Sequence, residues 1–234
     1  MDRRKKFLLF DIDGTLLHSG GAGRRALGAA LCEAGVAAEV VEAISLAGKT
    51  DRRIVLAALR DSGHHPAALP GLMADVLESY LVHLAANLEE RPARPYALVR
   101  ELLAAVRERA DMEPGLLTGN IPAGARLKLE SARLGDHFSW GVYGDHSEER
   151  SDLAREALRR LQAGNGGVHP RDVFVIGDTC ADIACGRAIG AVTIAVTSGF
   201  EPAAELAAAA PDHLVPGFRQ LFDLWDLPLP RLNS

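Results

Sequence analysis

Short, uninterrupted apolar runs recur along this chain, and each stops at a turn-forming or polar residue. Residues 7–10 read Phe-Leu-Leu-Phe and stop at Asp11. Gly115-Leu116-Leu117 stops at Thr118, residues 140–143 at Gly144, and residues 173–176 at Gly177-Asp178. Residues 191–196 make another run and Leu214-Val215 a shorter one. A strand with one wet face alternates apolar and polar residues, so a run without alternation predicts a strand covered on both faces. Between the runs lie patterns of helical period. Leu98, Leu102, Leu103 and Val106 share one helix face, and Leu153, Ala157, Leu158 and Leu161 another. Strands alternating with helices predict an α/β chain whose parallel sheet has helices on both faces.

One region breaks the alternation. Residues 22–90 contain no strand pattern, while residues 26–31, 54–59 and 72–88 read as amphipathic helices. The region is bounded by Ser19-Gly20-Gly21-Ala22-Gly23, which is conformationally loose, and by Arg91-Pro92-Ala93-Arg94-Pro95, which is stiff and non-helical. The expected organisation is a Rossmann-like core made of residues 1–18 and 92–234, with a small all-helical cap, residues 19–91, inserted after the first strand.

The charge balance narrows the partners. The 234 residues carry 26 Lys and Arg against 31 Asp and Glu, a formal net charge of −5. Such a chain has no electrostatic footprint for nucleic acid or an anionic membrane. Cys32, Cys180 and Cys185 show neither a CxxC pair nor zinc-ligand spacing, which reads as reduced thiols in a cytoplasmic protein. The basic start, residues 3–6, and the apolar run after it imitate a signal peptide, but Asp11 and Asp13 end the run too soon, and a strand is expected instead. Histidines 64, 65, 83, 137, 146, 169 and 213 show no metal spacing and read as surface or loop residues.

Three segments carry chemistry. Asp11-Ile12-Asp13-Gly14-Thr15-Leu16 follows the first strand directly. Ligands of parallel sheets bind beyond the carboxyl ends of the strands, where two carboxylates two residues apart can face one spot. Gly14 permits a tight turn and close approach of a ligand, and an ordinary Asp-Gly turn explains the same residues. In Leu117-Thr118-Gly119-Asn120-Ile121-Pro122 a hydroxyl ends a strand beside a helix start, which suits a phosphate or simple helix capping by Asn120. In Gly177-Asp178-Thr179-Cys180-Ala181-Asp182 a strand end delivers two carboxylates four residues apart, hard oxygen ligands that suit Mg²⁺.

Taken in order, Asp-x-Asp-Gly-Thr-Leu near the amino end, a Thr after a mid-chain strand, and Gly-Asp-x-x-x-Asp late in the chain resemble the haloacid-dehalogenase-like hydrolase superfamily. The helical insertion resembles that superfamily's cap of the first type, and the likeness is nearest to the phosphoglycolate-phosphatase-like branch. The resemblance implies a Mg²⁺-dependent phosphatase acting on a small phosphorylated substrate, either monomer or homodimer. Asp11 would be the nucleophile that forms an aspartyl-phosphate, and Asp13 the general acid and base. Thr118 would hydrogen-bond the phosphoryl oxygens, with Gly14, Thr15, Gly119 and Asn120 as further substrate-binding candidates. Asp11, Asp13 through its carbonyl, and Asp178 would hold the metal, with Asp182 as ligand or supporting group.

The family's basic residue is the departure. A Lys usually precedes the helix leading to the Gly-Asp strand, whereas here the stretch reads Asp145-His146-Ser147-Glu148-Glu149-Arg150. Arg150 and Lys128 are the candidates, Lys128 is favoured, and the other is expected to be a solvated charge. Ala47-Gly48-Lys49-Thr50-Asp51-Arg52-Arg53 resembles the family's specificity loop. Gly48, Lys49 and Arg52 would meet the substrate beyond its phosphate, or else Thr50 is an N-cap with exposed basic neighbours. A sugar phosphomutase keeps the same motifs and is the alternative. Asp13 disfavours a dehalogenase and a phosphonatase, which lack this second acid.

Overall fold

The computed structural model describes residues 4–145, 147–165 and 167–230, so Arg3 and His146 lie outside it. The chain begins with β1 (Lys6–Phe10) and β2 (Leu17–His18), then four helices, α1 (Ala22–Glu33), α2 (Ala38–Ala43), α3 (Asp51–Asp61) and α4 (Leu69–Glu90). It continues through β3 (Arg94–Pro95), α5 (Val99–Arg107), β4 (Met112–Leu117), α6 (Pro122–Ser131), β5 (Gly141–Val142) and α7 (Arg150–Asn165). Next come β6 (Val173–Gly177), α8 (Cys180–Ala188), β7 (Val192–Val196), α9 (Ala203–Ala208), β8 (His213–Val215) and α10 (Arg219–Leu224). Six strands form one sheet in the order β5-β4-β1-β6-β7-β8, every pair parallel. No helix among the described residues is long and apolar enough to cross a membrane.

The unbroken apolar runs have the predicted cause. Phe7 and Leu9 of β1 enter one apolar cluster with Val173, Val175, Leu153 and Leu161. Leu8 and Phe10 point the other way, into a cluster with Leu102, Leu103, Leu116 and Ile176. Side chains alternate faces along a strand, so covering both faces demands apolar residues throughout. Truncating one of these fully buried leucines costs about 2–5 kcal/mol. The second cluster also runs on through Leu27, Leu31, Ile54, Leu59 and Leu84 of the helical segment.

Three details differ from expectation. β4 starts three residues before the predicted run and contains Pro114. Leu116 N–H donates to the Trp140 carbonyl on the β5 side. Pro114, two residues earlier, therefore turns its missing donor to the same side, beyond the end of the two-residue β5. Leu98 stands just before α5 with φ 66° rather than inside the helix. The two segments bounding the helical region also differ from a loose and a stiff linker. β2 and β3 pair antiparallel, Leu17 opposite Pro95 and His18 opposite Arg94, while Ala22 and Gly23 already belong to α1.

Candidate active site

Strand order assembles the site. β4, β1 and β6 are neighbours, and all run the same way. Their carboxyl ends therefore deliver Thr118, Asp11 and Asp178 side by side at one sheet edge. The turn after β1 is tied by Leu16 and Leu17 N–H donating to the Ile12 carbonyl and by Gly14 N–H donating to that of Leu17. Gly14 has φ 80°, and a Cβ there would fall 2.1 Å from Asp178 Oδ2. No residue with a side chain closes this turn without displacing that carboxylate.

Asp11, Asp178 and Asp182 are buried, and their oxygens lie within 4.8 Å of one another. Burial pushes the Asp178 carboxyl up to about 8, with the Asp11 and Asp182 charges adding to the rise. Thr15 Oγ1 and Phe200 N–H donate to its two oxygens, at 2.9 and 2.8 Å. Burial also raises Asp11, to about 6, against the pull of Arg150. Asp182 closes a capping box with Thr179 at the start of α8. Its other oxygen meets the Arg150 guanidinium at 2.5 Å.

Both basic candidates are buried, which corrects the expectation that one would be a solvated charge. They serve different carboxylates. Arg150, the first residue of α7, reaches Asp11 Oδ1 at 2.9 Å as well as Asp182. Lys128, from α6, reaches Asp13 Oδ2 at 2.5 Å and Asn120 Oδ1 at 2.6 Å. Asn120 in turn donates to Asp13 Oδ2 at 2.9 Å and to Thr118 Oγ1 at 2.8 Å. Both side chains line the cleft over the acids, Arg150 on Asp11 and Lys128 on Asp13. Burial opposes the charge of each cation, but the surrounding carboxylates outweigh it and hold both far above the usual range.

Three carboxylates against one guanidinium leave this pocket short of positive charge. Like charges about 4 Å apart cost roughly 4 kcal/mol at an effective dielectric of about 20. The donors are hard oxygens, so Asp11, Asp178 and Asp182 fit a divalent cation such as Mg²⁺.

A family model for haloacid dehalogenase-like hydrolases matches residues 5–190. The chain belongs to that family. It is 27% identical to phosphoglycolate phosphatase of Yersinia pseudotuberculosis over 94% of this chain and 92% of that one. It is 32% identical to N-acetylmuramic acid 6-phosphate phosphatase of Pseudomonas aeruginosa over 97% of both chains. The crystal structure of CbbY from Rhodobacter sphaeroides in complex with phosphate superposes with a TM-score of 0.72 at 22% identity, covering 93% of this chain and 96% of that one. This haloacid dehalogenase-like hydrolase is thus an enzyme of the phosphatase kind.

The helical segment of this family member supplies one wall of a cleft of about 430 Å³ over the acids, lined by Leu27, Leu46, Gly48, Lys49, Tyr80 and Phe200 among others. Gly48 has φ 69°, and a Cβ on it would lie 2.7 Å from that of Ala181. A Cβ on Gly119 would lie 2.3 Å from the Lys49 carbonyl. Two glycines thus let the loop press onto the sheet edge. Thr50 is also an N-cap, accepting from Arg53 N–H at 3.2 Å while its hydroxyl donates to the Glu148 carbonyl. The two readings of this loop are compatible. Arg52 is a correction: it lines a separate groove with Arg60, His64 and Glu148, because helical geometry turns it away from the neighbouring Asp51. Asp51 and Tyr80 line the cleft and were missed by sequence reasoning. The first reads as an ordinary first-turn acid of α3, the second as one more member of an apolar stripe.

Proposed function

We propose that this enzyme is a Mg²⁺-dependent phosphomonoester hydrolase that works through an aspartyl-phosphate on Asp11. The observation that carries the reading is the pairing of each acid of the first motif with its own buried cation, Arg150 on Asp11 and Lys128 on Asp13. Asp11, held against the Arg150 guanidinium at 2.9 Å, would attack phosphorus as its carboxylate. Arg150, steadied by Asp182, neutralises charge that develops on the phosphoryl oxygens. Thr118 and Asn120, hydrogen-bonded to each other, would supply further hydrogen bonds to those oxygens. Asp13 protonates the leaving oxygen, then takes a proton from the water that hydrolyses the acyl phosphate. Mg²⁺, held by Asp11 and Asp178 with the Asp13 carbonyl, would screen the carboxylates from the phosphate dianion. Asp182, whose oxygens meet Thr179 and Arg150, would be a further ligand or the support of Arg150.

In this reading residues 19–91 are a cap closing over the core of residues 1–18 and 92–234, and its loop at Gly48 and Lys49 selects the leaving group. The substrate is a small phosphorylated metabolite. Relatives named for phosphoglycolate and for N-acetylmuramic acid 6-phosphate support a small substrate, and the cleft's Leu27, Leu46 and Tyr80 favour a leaving group with apolar surface. The three free cysteines fit a reducing cytoplasm. The test is phosphate release from an aryl phosphate. Asp11→Asn or chelation of divalent cations is expected to lower kcat by roughly a thousandfold or more. Turnover near that of the parent protein in the clean variant contradicts the mechanism.

A further inference from the structure

Asp13 is held by one oxygen. The Lys128 and Asn120 donors both fall on Oδ2. Among the described residues Oδ1 is therefore the oxygen free to face a leaving group. The hub of this arrangement is Asn120, whose amide touches Asp13, Lys128 and Thr118 together. An amide in that position works only if its backbone is fixed, because its side chain rotates about two bonds.

The fixing comes from the helical segment. Asp51 N–H donates to the Gly119 carbonyl at 2.8 Å, and Asp51 Oδ2 accepts the Ile121 N–H at 2.9 Å. These two bonds bracket Asn120 from either side, much as one rung pair of a β-ladder would. On the core side Gly144 N–H donates to the Asn120 carbonyl at 2.8 Å, so the backbone is gripped on both flanks. The same Asp51 carboxylate sits at the start of α6, the helix that carries Lys128. Tyr80 of α4 adds a second contact, its phenol packed beside Lys128 Nζ in space left by Gly23 and Gly124.

We propose that Asp51 is a positioning residue: its carboxylate clamps Ile121 beside the backbone bond to Gly119 and so fixes Asn120, and through Asn120 and Lys128 it aims the Asp13 carboxyl at the leaving oxygen. The inference rests on the reading of Asp13 as general acid. It gives the helical segment a second task besides covering the cleft, since the acid half of the site is then assembled only while α3 is seated on the loop after β4. The nucleophile half depends on it less directly: the helical segment reaches Arg150 through Thr50 and Arg53, which bond to Glu148 and Glu149 just before α7.

The test uses Asp51→Ala, Asp51→Asn and Tyr80→Phe in the full chain, with phenyl phosphate as the poor leaving group and 2,4-dinitrophenyl phosphate as the good one. Asp51→Ala is expected to lower kcat for phenyl phosphate by roughly ten- to a hundredfold, in line with the cost of small misplacements, and to lower it far less for the dinitrophenyl ester. KM for both changes little. Asp51→Asn keeps an acceptor for the Ile121 N–H and restores much of the loss. Tyr80→Phe keeps the ring packing, and is expected to give the same pattern more weakly, so the inference stays open to refutation if Asp51→Ala does not fold. Equal losses for both esters in Asp51→Ala, or in Tyr80→Phe where the former does not fold, overturn the inference. Asp13→Asn is run alongside. If it too shows no leaving-group selectivity, the assignment of Asp13 fails and the inference with it; if it is selective and Asp51→Ala is not, the inference alone falls.

Discussion

The two cation–carboxylate groups of this site, each built on a buried cation, look alike in charge and differ in what holds them. Arg150 stands between Asp11 and Asp182, all three carried by the sheet and its flanking helices. Lys128 stands between Asp13 and Asn120, beneath Asp51 and Tyr80 of the helical segment. One half of the site is thus built from residues outside the helical segment, while the other is shared with it. This division suits two-step phosphoryl transfer. On the proposed mechanism the attacking group is ready before substrate arrives, while proton delivery matters only once a leaving group is bound in the cleft.

The comparison predicts its largest effect at Arg150. Arg150→Ala is expected to cut kcat by a hundredfold or more, about equally for good and poor leaving groups. It also leaves Asp11 and Asp182 buried without their partner, so stability falls by roughly 3–5 kcal/mol, read from denaturant midpoints. Lys128→Met is expected to cost roughly ten- to a hundredfold with phenyl phosphate and much less with the dinitrophenyl ester. If Lys128→Met is the severe, unselective variant and Arg150→Ala the mild one, the two halves are assigned the wrong way round.

A third expectation concerns the acidic pocket without metal. Asp178 has its carboxyl pushed up to about 8 in the folded chain, above its unfolded value. The folded state therefore binds more protons. The associated stability is fully present at low pH and is lost as pH rises through about 8. Chelated protein should show a falling Tm between pH 6 and 9, by a few degrees for each kcal/mol lost, roughly 2–4 °C in a chain of this size. Added Mg²⁺ should raise Tm more at pH 8.5 than at pH 6, because the ion requires ionised carboxylates. An increment independent of pH sinks this account of the metal site.

The smallest effects separate two neighbours in the helical segment. Lys49 lines the cleft, and Lys49→Ala should weaken kcat/KM for an anionic metabolite several-fold more than for an aryl phosphate, as loss of one exposed charge contact does. Arg52 faces the other groove, and Arg52→Ala should leave both substrates within about twofold of the parent, as surface substitutions away from a site do. A large effect at Arg52 would mean that the helical segment rotates substantially on closure.

What was legible in the sequence follows from how locally each feature is encoded. Strands buried on both faces announce themselves as unbroken apolar runs, so residues 7–10 and 173–176 coincide with β1 and β6, and the carboxylates after them stand at strand ends. The apolar run marks only residues 115–117 of β4, since Glu113 and Pro114 carry no apolar pattern, and the shortness of β5 leaves room for Pro114 in the strand. α2 went unnoticed because it is six residues long and buries none of them. The helical region showed as missing strand pattern, but the β2–β3 pairing at its base did not, since two residues per strand carry no periodicity. Distance along the chain says nothing about which carboxylate a cation meets. Arg150 lies 139 positions from Asp11, and the β4-β1-β6 adjacency that unites them is a property of topology. Asp51 is the sharpest case, an unremarkable first-turn acid until α3 is seen to dock on the loop after β4.

The central claim is that Asp11 carries the phosphoryl group between substrate and water. Its most direct test is acid quench of the Asp13→Asn variant during turnover of 2,4-dinitrophenyl phosphate with Mg²⁺, followed by peptide mass spectrometry. That variant lacks the base for the second step, so the intermediate accumulates. The account predicts one phosphoryl group on the peptide bearing Asp11, labile to hydroxylamine and absent when Asp11→Asn is introduced as well. A phosphoryl group on another residue, or steady turnover by the Asp11→Asn protein with no label anywhere, would contradict it.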